Sequence, residues 1–111
     1  MENDQFGQVK HKIIFTPEAI QHISHISRWY NNQNSGLGKK FKQVLKSTLD
    51  KLRDNPFINT IRYDEVRFAL THKFPYAAHY TISVTNSILT VHAVFAFKES
   101  PQKWSENLYI Q

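Results

Sequence analysis

The ordered pattern of the chain starts with a short strand-like run that leads into a helical repeat. Residues 10–15 are rich in β-branched and aromatic side chains, which favours a strand. Thr16 and Pro17 suit the N-cap and first position of a helix, and Glu18 suits the positive end of its dipole. Apolar residues then recur at helical spacing: Ile20, Ile23, Ile26 and Tyr30. The pattern predicts a strand followed directly by an amphipathic helix.

A second helical repeat follows after a few polar residues and is the clearest in the sequence. Its inner face comprises Leu37, Phe41, Val44, Leu45, Thr48, Leu49 and Leu52. Asn55 and Pro56 are predicted to end this helix, because the residue before a proline disfavours helical backbone. Two helices with so short a connection predict an antiparallel hairpin.

The outer face of the second helix is basic. It carries Lys39, Lys42, Lys46 and Arg53. Long charged side chains are the ordinary content of a solvated helix face, and the same side chains would form a track for phosphate groups. Both interpretations of this basic stripe stay open on the sequence alone.

From Val66 onward the period changes from helical to alternating, which predicts antiparallel strands. In the first of them Val66, Phe68 and Leu70 are predicted to face the helices, with the intervening residues on the opposite side. A second strand follows Pro75. After a turn of hairpin length, residues 88–97 are apolar on both faces except at two positions, which is typical of a strand inside a sheet.

These patterns predict an α+β fold with the order β-α-α-β-β-β, in which the N-terminal strand and helical hairpin pack on one face of a mainly antiparallel sheet. Two helices cover only one sheet face, so the other face is predicted to be polar and basic. It would display Arg67, Thr71, Lys73, His79, Thr81, Thr90 and His92. Ser100 and Pro101 are predicted to begin a last helical turn, from which Trp104 packs back on the body.

The amino-acid composition indicates more about the possible partners of the protein than about its fold. With 111 residues, 41% of them hydrophobic, the chain suits a single domain, predicted here to span residues 1–104. The 14 Lys and Arg against 9 Asp and Glu give a net charge of +5, which favours polyanions or an acidic protein as partners. The chain has no cysteine, so disulfides, thiolate metal sites and thiol nucleophiles are excluded.

The two ends of the chain lead to two further expectations. The first residues lack the basic start and apolar run of a signal peptide, and no apolar stretch approaches membrane-spanning length, so we expect a cytoplasmic protein without a membrane partner. Residues 106–111 resemble the recognition sequence of a viral protease used to remove purification tags, except at Ile110. We therefore expect residues 105–111 to be a tail or a tag remnant outside the domain.

Several segments, taken in order and with their spacing, resemble the RelE/ParE toxins, often called plasmid stabilisation proteins. The resemblance spans residues 10–104 and rests on an opening strand before Thr16-Pro17-Glu18-Ala19, the Tyr30 region, Gly36-Leu37-Gly38-Lys39-Lys40-Phe41, Asn55-Pro56, Val66-Arg67-Phe68-Ala69-Leu70, Lys73-Phe74-Pro75-Tyr76-Ala77-Ala78-His79-Tyr80 and Pro101-Gln102-Lys103-Trp104. The two-helix hairpin looks closer to the ParE branch than to the RelE nucleases.

The resemblance implies a toxin of a type II toxin–antitoxin module that is neutralised by a cognate antitoxin, in a toxin–antitoxin hetero-oligomer. ParE-type toxins inhibit DNA gyrase, and this is the function we expect. RelE-type toxins instead cleave messenger RNA on the ribosome, which is the alternative. A third possibility is a protein that still binds its antitoxin but has lost toxicity.

The ribonuclease alternative requires an acceptor for the 2′-hydroxyl proton, cations at the phosphate and a donor for the leaving oxygen. His79 and His92 are the candidate acid and base, and Arg67 and Lys73 are candidate phosphate contacts. A histidine in a mainly apolar strand is, however, commonly a hydrogen-bonded structural residue.

The end of the domain departs from the pattern of the nucleases. Many relatives carry His, Arg and Asp just before the closing Pro and Trp, where this chain has Ala96, Glu99 and Ser100. Lys98 is the remaining nearby cation. The sequence contains no glycine-rich phosphate loop, and its six histidines show no metal-ligand spacing. We therefore expect no cofactor and no metal.

Overall fold

The computed structural model describes residues 10–97 and shows two helices on one side of a five-stranded sheet. In chain order the elements are β1 (Lys12–Phe15), α1 (Pro17–Gln33), α2 (Leu37–Asp50), a single 3₁₀ turn (Pro56–Ile58), β2 (Ile61–Tyr63), β3 (Val66–Leu70), β4 (Tyr76–Ser83) and β5 (Ile88–Ala96). The predicted α+β class and its layer order are confirmed. The short strand β2 was not predicted.

The helix boundaries follow local chemistry. The Thr16 side chain caps α1 by accepting a hydrogen bond from the Ala19 backbone N–H at 3.1 Å, as its position before Pro17 predicted. At the start of α2 the backbone of Gly36 has a φ of 90°, a left-handed conformation that glycine adopts without steric cost. The second helix ends at Asp50, several residues before the predicted stop at Asn55 and Pro56.

The two helices approach closely where α2 begins. The Gly38 backbone N–H donates to the Asn31 side-chain oxygen at 2.8 Å. A Cβ placed on Gly38 would lie 2.2 Å from the carbonyl oxygen of Ser27, so this crossing admits no side chain. The close packing of the predicted antiparallel hairpin therefore depends on Gly38, because glycine has no side chain.

The sheet has the order β1-β5-β4-β3-β2. Strands β2 to β5 pair antiparallel with their sequence neighbours, and β1 pairs parallel with β5. Between β4 and β5 the register shifts after His79, which pairs with Ala93, to Tyr80, which pairs with Val91, so His92 is an extra residue in β5. This bulge places His92 and Ala93 on the same side of the sheet.

The main core lies between the helices and one sheet face. Its buried members are Ala19, Ile26, Phe41, Leu45, Leu49, Leu52, Ala69, Phe74, Ala78, Tyr80, Leu89, Val91 and Val94. Because Ala69 belongs to this core, alternation places Phe68 on the opposite side. The predicted orientation of β3, with Phe68 toward the helices, is wrong. Residues 98–104, including Lys98 and the predicted last helical turn, lie outside the described residues.

Candidate functional site

His79 lies in the middle of the sheet face opposite the helices, here called the far face. Its side chain is 8% exposed and stacks on the Phe68 ring with centroids 4.0 Å apart. The Phe95 ring meets it edge-on at 5.1 Å, and a hydrogen bond of 3.1 Å joins His79 Nδ1 to the Tyr63 hydroxyl. Burial, together with the nearby His22 imidazole, lowers the pKa of His79 to about 4. The His79 ring is therefore neutral at pH 7.

His92 shares the far face but has different surroundings. The bulge leaves its side chain exposed, and its Nε2 lies 2.7 Å from the Thr81 hydroxyl oxygen. Its carbonyl oxygen accepts a hydrogen bond of 3.1 Å from the Thr16 hydroxyl. The two candidate catalytic histidines thus lie on one face, as predicted, although one is buried among aromatic rings and the other is exposed.

Arg67 does not join the histidines. It pairs with Tyr80 across the β3–β4 ladder, and Tyr80 is fully buried on the helix side. The Arg67 guanidinium donates to the Asn59 carbonyl and lies 5.2 Å from the Phe57 ring centroid. The prediction that Arg67 lies on the uncovered face is wrong, because the side of β3 that carries Ala69 is the one that packs under the helices.

Thr71 and Lys73 belong to the β3–β4 turn rather than to the far face. The Thr71 hydroxyl donates to the Phe74 carbonyl at 2.6 Å, which closes the turn. Lys73 is exposed and has a left-handed backbone with a φ of 68°. The prediction that both lie on the uncovered face is also wrong, since the strand ends before them at Leu70.

The far face is aromatic where a cationic surface was predicted. The rings of Tyr63, Phe68, His79, Phe95 and Phe97 form a connected set of contacts. The cation that meets them is Arg62, whose guanidinium lies 4.9 Å from the Phe68 ring centroid. Sequence reasoning missed Arg62 because it lies in β2, a three-residue strand with too little alternation to be recognised.

The lysines of the basic stripe are exposed on α2, as predicted, whereas Arg53 lies beyond the end of the helix at Asp50 and is half-buried. Lys46 forms an ion pair with Asp50 at 2.8 Å, and Arg53 contacts the same carboxylate at 3.2 Å. Hydrogen bonds from these two cations lower the pKa of Asp50. Lys39 and Lys42 are exposed on the same helix.

Beside the stripe lies a cleft of about 330 Å³ between β1, α1 and α2. Its apolar lining comprises Ile13, Phe15, Ile23, Leu45 and Leu49. Its polar lining comprises Lys42, Lys46, Asp50 and Arg53, three cations and one carboxylate. We call this cleft the basic groove. An apolar floor under a mainly cationic rim suits an amphipathic segment with acidic side chains.

Within residues 10–97, no group of three His, Cys, Asp or Glu side chains is placed to hold a metal ion. Over the same span, neither helix is long and apolar enough to cross a bilayer.

Comparison with known proteins identifies the family. The family model of the ParE toxin of the type II toxin–antitoxin system parDE matches residues 13–99. The chain belongs to the ParE toxin family. It is therefore the toxin component of a type II toxin–antitoxin system. No curated protein matches the sequence of this ParE-family toxin.

Two solved structures have the same fold as this ParE-family toxin. A chain of the chromosomal ParDE toxin–antitoxin system from P. aeruginosa superposes with a TM-score of 0.70 at 12% identity, covering 80% of this chain and 98% of that one. A chain of the intact E. coli RelBE toxin–antitoxin complex gives 0.54 at 16% identity, covering 81% and 99%. The predicted resemblance to the RelE/ParE superfamily, closer to the ParE branch, is confirmed.

Proposed function

We propose that this toxin inhibits DNA gyrase by binding it, without catalysing a reaction of its own, and that an acidic antitoxin silences it. The observation that carries the proposal is the position of His79, which is 8% exposed and held among aromatic rings. The match to the ParE family supports the same conclusion, because inhibition of gyrase is what the resemblance to this branch implies. Gyrase acts in the cytoplasm, and we place the toxin there.

The surroundings of His79 argue against RNA cleavage at this face. A general base must reach the proton that it removes, and its pKa should lie near the working pH. The His79 pKa of about 4 makes this imidazole a weak base, and its burial keeps it from a substrate. Arg67, the proposed phosphate contact, lies on the other side of the sheet.

One observation favours the alternative, a RelE-like ribosome-dependent endoribonuclease. His92 is exposed on the far face, and its Nε2 lies 2.7 Å from the Thr81 hydroxyl. It is the one of the two candidate histidines that is accessible to a substrate. A ribonuclease built on this face would thus depend on His92, with cations drawn from Arg62 or Lys73 rather than from Arg67.

The basic groove supports the antitoxin as partner. Its Lys42, Lys46 and Arg53 would meet acidic side chains, while Leu45 and Leu49 would contact an apolar stripe. The neighbouring strand β1 lies at the end of the sheet order, so a bound segment could also pair with its backbone. Such a segment would order on binding, as disordered acidic segments do. The assembled form would then be a toxin–antitoxin hetero-oligomer.

The target is tested with purified components. The wild-type toxin should inhibit DNA supercoiling by gyrase and leave messenger RNA intact in a reconstituted translation reaction. His92→Gln should inhibit gyrase as well as the wild type does, because no proton transfer is involved. Transcript cleavage that His92→Gln abolishes would replace our proposal with the ribonuclease. A wild-type protein inactive in both assays, and harmless when expressed in bacteria, would indicate lost toxicity.

A further inference from the structure

The first described residues of the chain lie beside the basic groove. The His11 backbone N–H donates to the carbonyl oxygen of Arg53 at 2.9 Å, and the Arg53 guanidinium donates to the carbonyl oxygen of His11 at 3.4 Å. Arg53 lines one end of the groove, just past the end of α2, and Lys42 lines it further back along the helix. Residues 1–9, which precede the described part of the chain, therefore join the domain at the Arg53 end of the groove.

The rim of the basic groove has an excess of positive charge. Three cations line it together with one carboxylate, that of Asp50. Asp50 pairs with Lys46 at 2.8 Å and with Arg53 at 3.2 Å. Lys42 is exposed and takes part in neither of these ion pairs of the described residues. The rim thus keeps two positive charges in excess, and these attract carboxylates.

The floor of the groove is apolar and partly open to solvent. Leu45 and Leu49 line it from α2 and are almost fully buried, whereas Phe15 lines it from β1 and is 38% exposed. A second aromatic side chain packed on Phe15 would remove apolar surface of both rings from water. The groove therefore suits a segment that combines two acidic side chains with an aromatic one.

The sequence of residues 1–9 has this combination. It contains Glu2 and Asp4, no Lys or Arg, and one aromatic side chain, Phe6. Its two carboxylates match the two excess positive charges of the rim. At the other end of the chain, residues 98–111 carry two Lys and two Glu and have no such excess. Charge therefore favours residues 1–9 over the other end as the occupant of the groove.

The segment is long enough to turn back over the groove. Nine extended residues span at most about 30 Å, whereas α2 rises by about 12 Å between Lys42 and Asp50. Gly7 adopts the backbone conformations of a tight turn without steric cost, so the direction of the chain can reverse there. The part of the segment before Gly7 would then run along α2 from Arg53 toward Lys42.

We propose that residues 1–9 occupy the basic groove of the free toxin as an internal competitor, which the antitoxin must displace. The inference rests on the proposed function, because it takes the groove as the antitoxin site. Since the segment is tethered beside the groove, its effective concentration there is high, and a few weak contacts suffice to hold it. A groove that is closed for about four-fifths of the time lowers the apparent affinity for the antitoxin about fivefold.

The first measurement detects the docked segment in the free toxin by NMR with a nitroxide spin label. Because the chain contains no cysteine, Gln5→Cys gives a single attachment point. We expect the label to broaden the methyl signals of Leu45 and Leu49. The matched control is the same labelled protein with Glu2→Gln and Asp4→Asn, which keeps the tether and loses the charge attraction. Broadening should be weaker in this control, and high salt should reduce the difference.

The second measurement compares affinities for the antitoxin. Glu2→Gln/Asp4→Asn should bind about fivefold more tightly than the matched control Asp64→Asn/Glu65→Gln, because its groove is open. The control removes two carboxylates from the β2–β3 turn, at the opposite edge of the sheet from β1. Both double variants change the net charge of the toxin equally, so the comparison isolates the competition at the groove.

Four outcomes would overturn the inference. Equal broadening in the two labelled proteins would show that residues 1–9 do not dock, while antitoxin binding at the groove would still support the proposed partner. Broadening that grows with protein concentration would place the segment in the groove of a second copy. Equal antitoxin affinities of the two double variants would exclude competition. An antitoxin that binds without changing the Leu45 and Leu49 signals would remove it from the groove, whatever the label shows.

Discussion

Because His79 is buried, its protonation changes the stability of the folded protein. The ring is stacked on Phe68, met edge-on by Phe95 and hydrogen-bonded to Tyr63, so a proton added to it would be poorly solvated. Its pKa of about 4 in the folded protein lies below the ordinary value of 6.5. The unfolded chain therefore binds this proton at a higher pH than the folded chain does.

We predict that the free energy of unfolding decreases as the pH falls below 6.5. Protonation of unfolded His79 should remove about 2 kcal/mol between pH 7 and pH 5, and the loss should level off below pH 4. The measurement is urea unfolding at several pH values. His79→Phe should flatten the dependence between pH 7 and pH 5, whereas the exposed control His92→Gln should keep it. A steep dependence that survives in His79→Phe would refute this assignment.

At the residue scale the sequence predicted the far-face position of the two histidines but not their surroundings. Alternation assigns neighbours to opposite faces, and it does not say which face the helices cover. Polarity suggested that Arg67 is outside and Phe68 inside, because a second apolar cluster on the far face was not foreseen. Ala69, which is small enough to lie beneath large helix side chains, holds the covered position.

The helical hairpin depends on one close approach between its two elements. A Cβ on Gly38 would lie 2.2 Å from the Ser27 carbonyl and 2.6 Å from the Ser27 hydroxyl oxygen. Gly36 differs, since nothing lies within 4 Å of the position of its Cβ and only its left-handed backbone favours glycine. Glycine is thus favoured at these two positions for different physical reasons, namely the lack of space at Gly38 and the left-handed backbone at Gly36.

We predict that Gly38→Ala destabilises the protein by about 2 kcal/mol or more, because the helices must separate to admit the methyl group. Gly36→Ala should cost about 1 kcal/mol, the strain of a left-handed alanine. Urea unfolding measures both, and Lys39→Ala on the exposed face serves as the control. If Gly38→Ala and Lys39→Ala unfold at the same urea concentration, the result contradicts the close approach of the helices at Gly38.

At the element scale, both helices and the three longer strands of the meander follow from periodicity and capping. The strand β2 does not, because three residues carry too little pattern. Because β2 was not predicted, the pairing of Ile61 with Arg67 was not predicted either. The bulge at His92 was also beyond prediction, since an extra residue in a strand is set by its partner.

For the whole molecule, the two edges of the sheet differ in the side chains that they expose. The basic groove near β1 is lined by the cations Lys42, Lys46 and Arg53 and by the carboxylate of Asp50. Near β2, Phe57, Ile58 and Ile61 are exposed apolar side chains, and Arg67 lies against the Phe57 ring. The groove is therefore the surface that suits an acidic partner.

We predict that Lys42→Glu weakens binding of the antitoxin several-fold at low salt, mainly because association becomes slower. Added salt should reduce the difference in affinity between the variant and the wild type, because it screens the charges. Lys39→Glu is the matched control, because Lys39 lies on the same helix and does not line the groove. Association rates measured by surface biosensor at two salt concentrations would test this. If Lys42→Glu and Lys39→Glu weaken antitoxin binding equally, the effect comes from the net charge of the toxin and not from the basic groove.

The parallel pairing of β1 with β5 has a consequence for synthesis of the toxin. Lys12 pairs with Ile88 and Phe15 pairs with Val91, so β1 stays without this partner until β5 has been made. Contacts between residues so far apart in sequence form late and slowly. A nascent chain that stops before β5 would lack Leu89, Val91 and Val94, which belong to the helix-facing core. Completion of the core thus waits for β5 to emerge from the ribosome, although both helices have emerged well before it.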